Sequence, residues 1–205
     1  GEAKKLSYLM VMNIIENKNI PWAGGWYMDI HTIKSIRTPE GGFQNTRSEI
    51  GEMLYRYKYE GIRSIGASLA DLIFNSIKTE EKLSYLSCIT WIPSSKPRIN
   101  PVLEPIAIRL SKKIGCDYNE LVLKKRDRPS VKHKDRDEIE EALEDAFEID
   151  EKLCKSYNGK KVLIIDDLYR TGSTMRKAAE LIRQSTSICL YGIAITKTRT
   201  QPNDR

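Results

Sequence analysis

The spacing of hydrophobic residues changes along this chain, and each spacing predicts a different kind of element. In the first part, four apolar residues fall on one face of a helix: Ile50, Met53, Leu54 and Tyr57. Either Thr46 or Ser48 is expected to cap the start of this helix. Gly61 interrupts the pattern, and a second helix is predicted over 62–77.

The first 45 residues have a weaker pattern. Residues 6–15 are apolar enough for a helix or a strand, and residues 25–36 favour strand. Pro39, Gly41 and Gly42 predict a turn after them.

From residue 86 onwards, short apolar runs alternate with helical segments. Strands are predicted at 88–93, 121–123, 162–165 and 188–195, and helices at 101–114 and 174–183. This alternation is typical of a parallel sheet with right-handed crossovers. Uninterrupted apolar strands are expected where both faces of a sheet are covered. The chain is therefore predicted to have an α/β fold.

A polar insert separates the second and third predicted strands. Residues 124–136 are mostly basic, whereas residues 138–151 carry many acids and no basic residue. One interpretation is a solvated loop followed by an amphipathic helix, with Ile139, Leu143 and Phe147 on one face. The other is a basic flap that closes over an anionic ligand.

Composition narrows the functional classes modestly. The chain has 205 residues and a formal net charge of +6, which favours anionic partners such as nucleotides, sugar phosphates or nucleic acid. Its four cysteines form no Cys-x-x-Cys pair, so no zinc ribbon is expected, and reduced thiols in a cytoplasmic protein are predicted. His31 and His133 are too isolated to predict a metal site. No apolar run approaches the roughly 18 residues that span a membrane. A membrane is therefore not expected as a partner.

The most informative segment is KVLIIDDLYRTGST, residues 161–174. It places Asp166 and Asp167 after a buried strand, at the carboxyl edge where open α/β sheets bind ligands. The Thr-Gly-Ser-Thr that follows leads into a helix, whose free N–H groups and hydroxyls suit a monophosphate. Two carboxylates would repel phosphate, so they are expected to face hydroxyls or a bridging cation. A vicinal diol beside a phosphate is the chemistry of a ribose 5-phosphate.

Other phosphate motifs do not account for this segment. A phosphorylation-receiver strand also carries two acids, but near the start of its domain and without a phosphate cradle directly after it. The chain has no Gly-x-x-x-x-Gly-Lys-Ser/Thr and no Gly-x-Gly-x-x-Gly, which excludes the P-loop and dinucleotide motifs.

The segment resembles the phosphoribosyl pyrophosphate (PRPP) signature of type I phosphoribosyltransferases: an apolar strand, two acids, three variable residues and Thr-Gly-x-Thr. A looser likeness over 48–200 is to the competence protein F (ComF-type) branch, on Tyr57-Lys58-Tyr59-x-Gly61, Ile92-Pro93, Arg126-x-Arg128 and the ending Thr198-Arg199-Thr200. Members of that branch often carry an amino-terminal zinc ribbon, which this chain lacks. Residues 1–45 lie outside the resemblance.

The resemblance implies a type I phosphoribosyltransferase-like parallel sheet flanked by helices, with an N-terminal helical and strand hood. Residues 1–80 would form this extension and hood, and residues 81–205 the α/β core, with a flexible-loop insert at about 124–150.

The resemblance also implies roles for individual residues. Asp166 and Asp167 would hold the ribose hydroxyls. The 5′-phosphate would lie in a cradle of four residues, Thr171, Gly172, Ser173 and Thr174. Ser94, Ser95 and Lys96 would take the pyrophosphate-loop position. The insert would close over PRPP with charge from Arg128, Lys132 or Lys134. Mg²⁺ would arrive with PRPP, with few direct protein ligands.

The implied activity is displacement of pyrophosphate from ribose C1 by a nucleophile, with Asp166, Asp167 and Arg170 as the catalytic candidates. Arg170 departs from the 6-oxopurine transferases, which have an acid at that position, so the acceptor is unassigned. The alternative is a non-catalytic protein that senses PRPP or a nucleotide, or a partner in DNA uptake and processing. A nucleic-acid module is a third hypothesis, and a homodimer is also compatible with the resemblance.

Overall fold

The computed structural model of the protein describes residues 12–94, 101–125 and 146–199. Ten strands lie in this part of the chain: β1 (Asn13–Ile14), β2 (Gly24–Ile30), β3 (Thr32–Arg37), β4 (Phe43–Arg47), β5 (Leu86–Trp91), β6 (Asp117–Tyr118), β7 (Val122–Lys124), β8 (Phe147–Ile149), β9 (Lys161–Tyr169) and β10 (Cys189–Lys197). The α-helices are α1 (Glu49–Tyr55), α2 (Ser64–Ile77), α3 (Leu103–Ile114), α4 (Glu151–Lys155) and α5 (Ser173–Ser185), with a π-helical turn at Arg56–Glu60 and a 3₁₀ turn at Glu81–Leu83.

Six strands form the central sheet, in the order β1-β2-β10-β9-β5-β6. All neighbours are parallel except β1 and β2, which are antiparallel. The predicted α/β fold with a mainly parallel sheet flanked by helices is confirmed. Strand β2 pairs with β10, so a segment from the amino-terminal part of the chain is hydrogen-bonded into the sheet across the predicted boundary at residue 80.

Both faces of the sheet are covered, which explains why the central strands are apolar throughout. Along β9, Leu163 and Ile165 pack on the face that carries α1, α2 and α3. Val162 and Ile164 alternate with them and pack on the opposite face with α5. Strand β9 therefore needs apolar side chains at successive positions rather than at alternate ones.

The predicted helices in the amino-terminal part are confirmed, with small changes at their ends. Ser48, rather than Thr46, caps α1, and its hydroxyl accepts a 2.9 Å hydrogen bond from the backbone N–H of Gly51. Gly61 adopts φ +69° and separates the π-helical turn from α2. The turn predicted at Pro39–Gly42 joins β3 and β4 as a hairpin, with Gly41 at φ +85°.

The strand predicted at 121–123 is present as β7, but it does not join the central sheet. Within the described residues β7 pairs with β8 in a separate two-stranded sheet, and the edge strand of the central sheet is β6. Leu121 and Val122 are apolar because they pack beneath this small sheet with Phe147 and Cys154.

Phe147 lies in β8 and not on the predicted amphipathic helix. The other two residues of that helix face, Ile139 and Leu143, lie outside the described residues. Phe147 is apolar because its side chain is buried with Leu121 and Cys154 in the core beside this small sheet.

The third predicted strand is longer than the sequence indicates, and the two acids lie inside it. Strand β10 continues beside β9 as far as the pair Lys197 and Tyr169, so β9 keeps a hydrogen-bonding partner on that side. On the other side β5 ends at Trp91, which is paired with Ile165. Asp166 and Asp167 follow directly, at the point where β9 loses this neighbour and a cleft opens.

All four cysteines are free thiols, as predicted. Burial raises the pKa of both Cys88 and Cys154 to about 11, so these thiols are unreactive packing residues at neutral pH. None of the helices in the described ranges is long and apolar enough to cross a membrane.

Candidate functional site

Asp166 is a buried carboxyl group at the base of the cleft, with 7% of its surface exposed. Its Oδ1 accepts a 2.7 Å hydrogen bond from the backbone N–H of Asp167. Burial raises the pKa of Asp166 well above the usual carboxyl value, and the adjacent Asp167 raises it further. Both effects favour the neutral form of Asp166 over the charged form.

Asp167 is the more accessible of the two acids, and its side chain forms an ion pair with the ammonium of Lys58. Its backbone carbonyl accepts a 2.9 Å hydrogen bond from the hydroxyl of Thr196, a buried residue of β10. The hydroxyl of Thr196 also lies 3.3 Å from Nδ1 of His31. These contacts fix the backbone of Asp167, so the direction of its side chain is set.

Lys58 was not among the candidate site residues from the sequence. It lies 109 positions before Asp167, on the π-helical turn. In the sequence, Tyr57-Lys58-Tyr59 carries part of the likeness to the ComF-type branch. Nothing in that pattern indicates that this turn lies over the end of β9.

The predicted phosphate cradle forms a tight loop between β9 and α5. Gly172 adopts φ +85° and directly precedes α5. The hydroxyls of Thr171 and Ser173 lie 2.8 Å apart, and the N–H of Ser173 is 3.4 Å from Oγ1 of Thr171. The loop therefore groups two hydroxyls at the amino terminus of a 13-residue helix.

Tyr169, at the end of β9, supports this loop from below. A Cβ atom on Gly172 would overlap the Tyr169 hydroxyl and lie 2.8 Å from its Cζ atom, so the backbone rests directly on the ring. The hydroxyl of Tyr169 accepts a 2.8 Å hydrogen bond from the side-chain amide of Asn17. The amino-terminal segment thus helps to hold the loop in place.

A cleft of about 620 Å³ opens beside these elements. Four predicted site residues line it: Ser94, Asp166, Asp167 and Thr174. Lys58 and Tyr59, from the amino-terminal part of the chain, also line this cleft. Glu104 and Glu120 are among its other lining residues. Burial raises the pKa of Glu120, and Glu104 contributes to the same shift.

The remaining predicted residues are placed differently. Arg170 and Thr171 are exposed at the rim of the loop, and neither lines the cleft. Ser95, Lys96 and Arg128, together with the alternatives Lys132 and Lys134, lie outside the described residues. Within the described ranges, no group of three or more His, Cys, Asp or Glu residues could hold a metal ion.

Comparison with known proteins identifies a domain type in this part of the chain. Residues 103–190 match the family model described as the phosphoribosyl transferase domain. The match includes β9, the loop and α5. This part of the chain is therefore similar to a phosphoribosyl transferase-type domain. No curated protein sequence matches the chain significantly.

Several solved structures resemble the fold at low sequence identity. A glutamine PRPP amidotransferase from B. subtilis, complexed with ADP and GMP, is 17% identical with a TM-score of 0.47, and the similarity covers 77% of this chain and 35% of that one. The chain thus spans about a third of the length of that enzyme. Adenine phosphoribosyltransferase from Saccharomyces cerevisiae is 19% identical with a TM-score of 0.43, and the similarity covers 80% of this chain and 82% of that one. Orotate phosphoribosyltransferase from Aeropyrum pernix is 12% identical with a TM-score of 0.38, and the similarity covers 80% of this chain and 74% of that one.

Proposed function

We propose that the cleft beside β9 binds PRPP and that the protein transfers its phosphoribosyl group to an acceptor, releasing pyrophosphate. One observation carries the proposal. Asp166 and Asp167 directly follow the last residue of β9 that pairs with β5. The loop after β9 brings hydroxyl groups to the start of α5. The phosphoribosyl transferase domain match includes the two acids, the loop and α5, but not β5.

The two acids would have different roles toward the ribose. Asp167 is charged and more accessible, so it would accept hydrogen bonds from the ribose hydroxyls. Asp166 is buried and its pKa is raised, which favours the neutral form, so it would contact the sugar as a group that can donate as well as accept. With Asp166 neutral and only Asp167 charged, the two acids would place little negative charge near the phosphates of the ligand.

The loop before α5 would hold the 5′-phosphate. Backbone N–H groups in the first turn of a helix lack intrahelical partners, and the helix dipole favours an anion there. The hydroxyls of Thr171, Ser173 and Thr174 supply further donors. Each charge-assisted hydrogen bond would contribute about 1.5–3 kcal/mol.

Mg²⁺ is proposed to enter with the ligand. The oxygen-rich chemistry of two carboxylates suits this ion, but burial disfavours the charged form of Asp166, and Asp167 is paired with Lys58. The ion would therefore be held mainly by the ribose and pyrophosphate oxygens, where it neutralises charge on the leaving group. The protein would contribute positioning of the sugar and exclusion of water.

The ComF-type branch is the more specific hypothesis for this protein. Lys58 and Tyr59 belong to the segment on which that likeness rests, and both line the cleft. A homodimer, a DNA-processing partner and a non-catalytic sensing role remain hypotheses within the same proposal. Turnover would be distinguished from sensing by a screen of acceptors for pyrophosphate release.

Thermal unfolding with and without PRPP and Mg²⁺ tests the proposal. Ligand at about 100 times its dissociation constant should add roughly 2.7 kcal/mol of stability. For a chain of this size the unfolding midpoint should then rise by about 5–11 °C. The double variant Asp166→Asn/Asp167→Asn should lose this shift, whereas Asp71→Asn, on the outer surface between α2 and α3, should keep it. Equal shifts in the wild type and the double variant would refute the assigned site.

A further inference from the structure

The ion pair between Lys58 and Asp167 crosses the cleft and joins two distant parts of the chain. The side chain of Lys58 is 13% exposed, and that of Asp167 is 26% exposed. Lys58 is therefore a mostly buried cation, and removal of its partner would leave its charge poorly solvated. Leaving one member of a buried ion pair uncompensated is strongly unfavourable.

The π-helical turn holds Lys58 in place from both sides. Tyr57 is buried, and its hydroxyl donates a 3.0 Å hydrogen bond to the carbonyl of Val102, just before α3. The ring of Tyr57 packs so closely on Gly66 that a Cβ there would lie 2.8 Å from it. A π-helical turn is rare and frequently marks a functional site. The turn cannot easily swing Lys58 away from the end of β9.

The rings of Tyr55 and Tyr59 add to this rigidity. Their centroids lie 5.0 Å apart, and the guanidinium of Arg47 lies 3.7 Å from the centroid of the Tyr55 ring. Arg56 and Glu60 form an ion pair within the same turn, with an N–O distance of 3.2 Å. Lys58 therefore stays near the cleft whether or not Asp167 is its partner.

These contacts set a requirement on any ligand that binds Asp167 through hydroxyl groups. A neutral diol that donates hydrogen bonds to the carboxylate weakens its ion pair, but gives Lys58 no replacement charge. A ligand with a second anionic group close to the diol restores a partner for Lys58. In PRPP the pyrophosphate is attached to C1, next to the 2′-hydroxyl, whereas ribose 5-phosphate has only a hydroxyl there.

We propose that Lys58 is a specificity-determining residue, which passes from Asp167 to the anionic group on C1 and so favours PRPP over ribose 5-phosphate. The inference rests on the proposed function, because it assumes that the diol binds at Asp167. In the free protein Lys58 competes with the diol for Asp167. In the complex it binds the diphosphate, adjacent to the bond that breaks.

The test is the ratio of the dissociation constants for ribose 5-phosphate and PRPP, measured by calorimetric titration at one fixed Mg²⁺ concentration. Lys58→Met should weaken PRPP binding by roughly ten- to a hundredfold, the loss expected for one charge-assisted contact. Ribose 5-phosphate binding should stay the same or become tighter by a few-fold, since its competitor is gone. Lys58→Arg, which keeps the charge, should retain most of the preference for PRPP.

Lys113→Met is the matched control. Lys113 also forms an ion pair with an aspartate, Asp71, at 3.2 Å, but on the outer surface between α2 and α3. This variant should bind both ligands as the wild type does. Unfolding curves of each variant without ligand would show that the fold is intact.

The possible outcomes separate the two proposals. Binding of both ligands to the wild type, with an unchanged ratio in Lys58→Met, would overturn the role of Lys58 and leave the proposed function standing. An equal loss of affinity for both ligands would also overturn it, since Lys58 would then act only through the position of Asp167. If the wild type bound neither ligand, the proposed function would fail and this inference with it.

Discussion

Asp166 and Asp167 are neighbours in the chain, and the fold gives them different environments. Asp166 points into the protein at the base of the cleft, where desolvation holds its pKa well above the ordinary value. Asp167 has Lys58 beside it and more contact with solvent. Adjacent β residues point in opposite directions, which explains why two neighbouring acids on one strand have different environments.

The raised pKa of Asp166 makes the stability of the protein depend on pH. The folded protein binds this proton more tightly than the unfolded chain, so the stabilising effect is complete below about pH 3.8 and declines as pH rises toward the folded-state pKa. Between the two pKa values the loss is about 1.4 kcal/mol per pH unit. Asp166→Asn removes this dependence, so its stability relative to the wild type should rise from pH 5 to pH 8 in urea unfolding.

Asp71→Asn is the control for this measurement. The hydrogen bond from Arg109 lowers the pKa of Asp71, so the side chain is ionised in both the folded and the unfolded states above pH 5. The difference in free energy of unfolding between Asp71→Asn and the wild type should be constant from pH 5 to pH 8. A parallel pH profile for Asp166→Asn and the wild type would show that Asp166 is not protonated by burial.

At the scale of elements, the loop between β9 and α5 depends on a glycine for two separate reasons. Gly172 has a left-handed backbone conformation, and its α-carbon faces the ring of Tyr169. Gly159 shares the first property, at φ +72°, but a Cβ there would meet nothing within 4 Å. The pair of sites separates backbone strain from contact with the ring.

Gly159→Ala is expected to cost about 1 kcal/mol, the penalty for the left-handed conformation. Gly172→Ala should cost roughly 1–3 kcal/mol more, because the added methyl group must displace Tyr169 or the loop. It should also weaken ribose 5-phosphate binding, which Gly159→Ala should leave unchanged. Urea unfolding and calorimetric titration of both variants give the comparison, and equal stability losses would mean that the loop shifts freely away from Tyr169.

Elements were predictable from the sequence where local pattern decides them. The helices α1, α2, α3 and α5 follow from apolar spacing, and Gly61 marks the break before α2. Strand β7 was predicted correctly as a strand but not in its place outside the central sheet, because Leu121 and Val122 are apolar for a different reason, namely burial beside the small sheet of β7 and β8. Strand β9 is longer than predicted, because its polar end pairs with β10. The sequence of β9 alone does not indicate this pairing.

At the scale of the whole molecule, the candidate site combines parts that lie far apart in sequence. Asp166, Asp167 and the loop after them could be predicted, because they form one continuous motif. Lys58 could not be assigned to the site, since only the packing of the π-helical turn against α2 and α3 brings it to Asp167. The support of Tyr169 by Asn17 likewise depends on how the amino-terminal segment folds back onto the sheet.

The central claim is that the end of β9 and the start of α5 bind a ribose 5-phosphate group. Its most direct test is a titration of the ¹⁵N-labelled protein with PRPP and Mg²⁺, followed through backbone amide chemical shifts. The account predicts the largest changes at Asp167 and at Gly172, Ser173 and Thr174, with smaller changes at Lys58 and none at Asp71 or Lys113. Changes confined to other parts of the protein, or no change at saturating ligand, would contradict it.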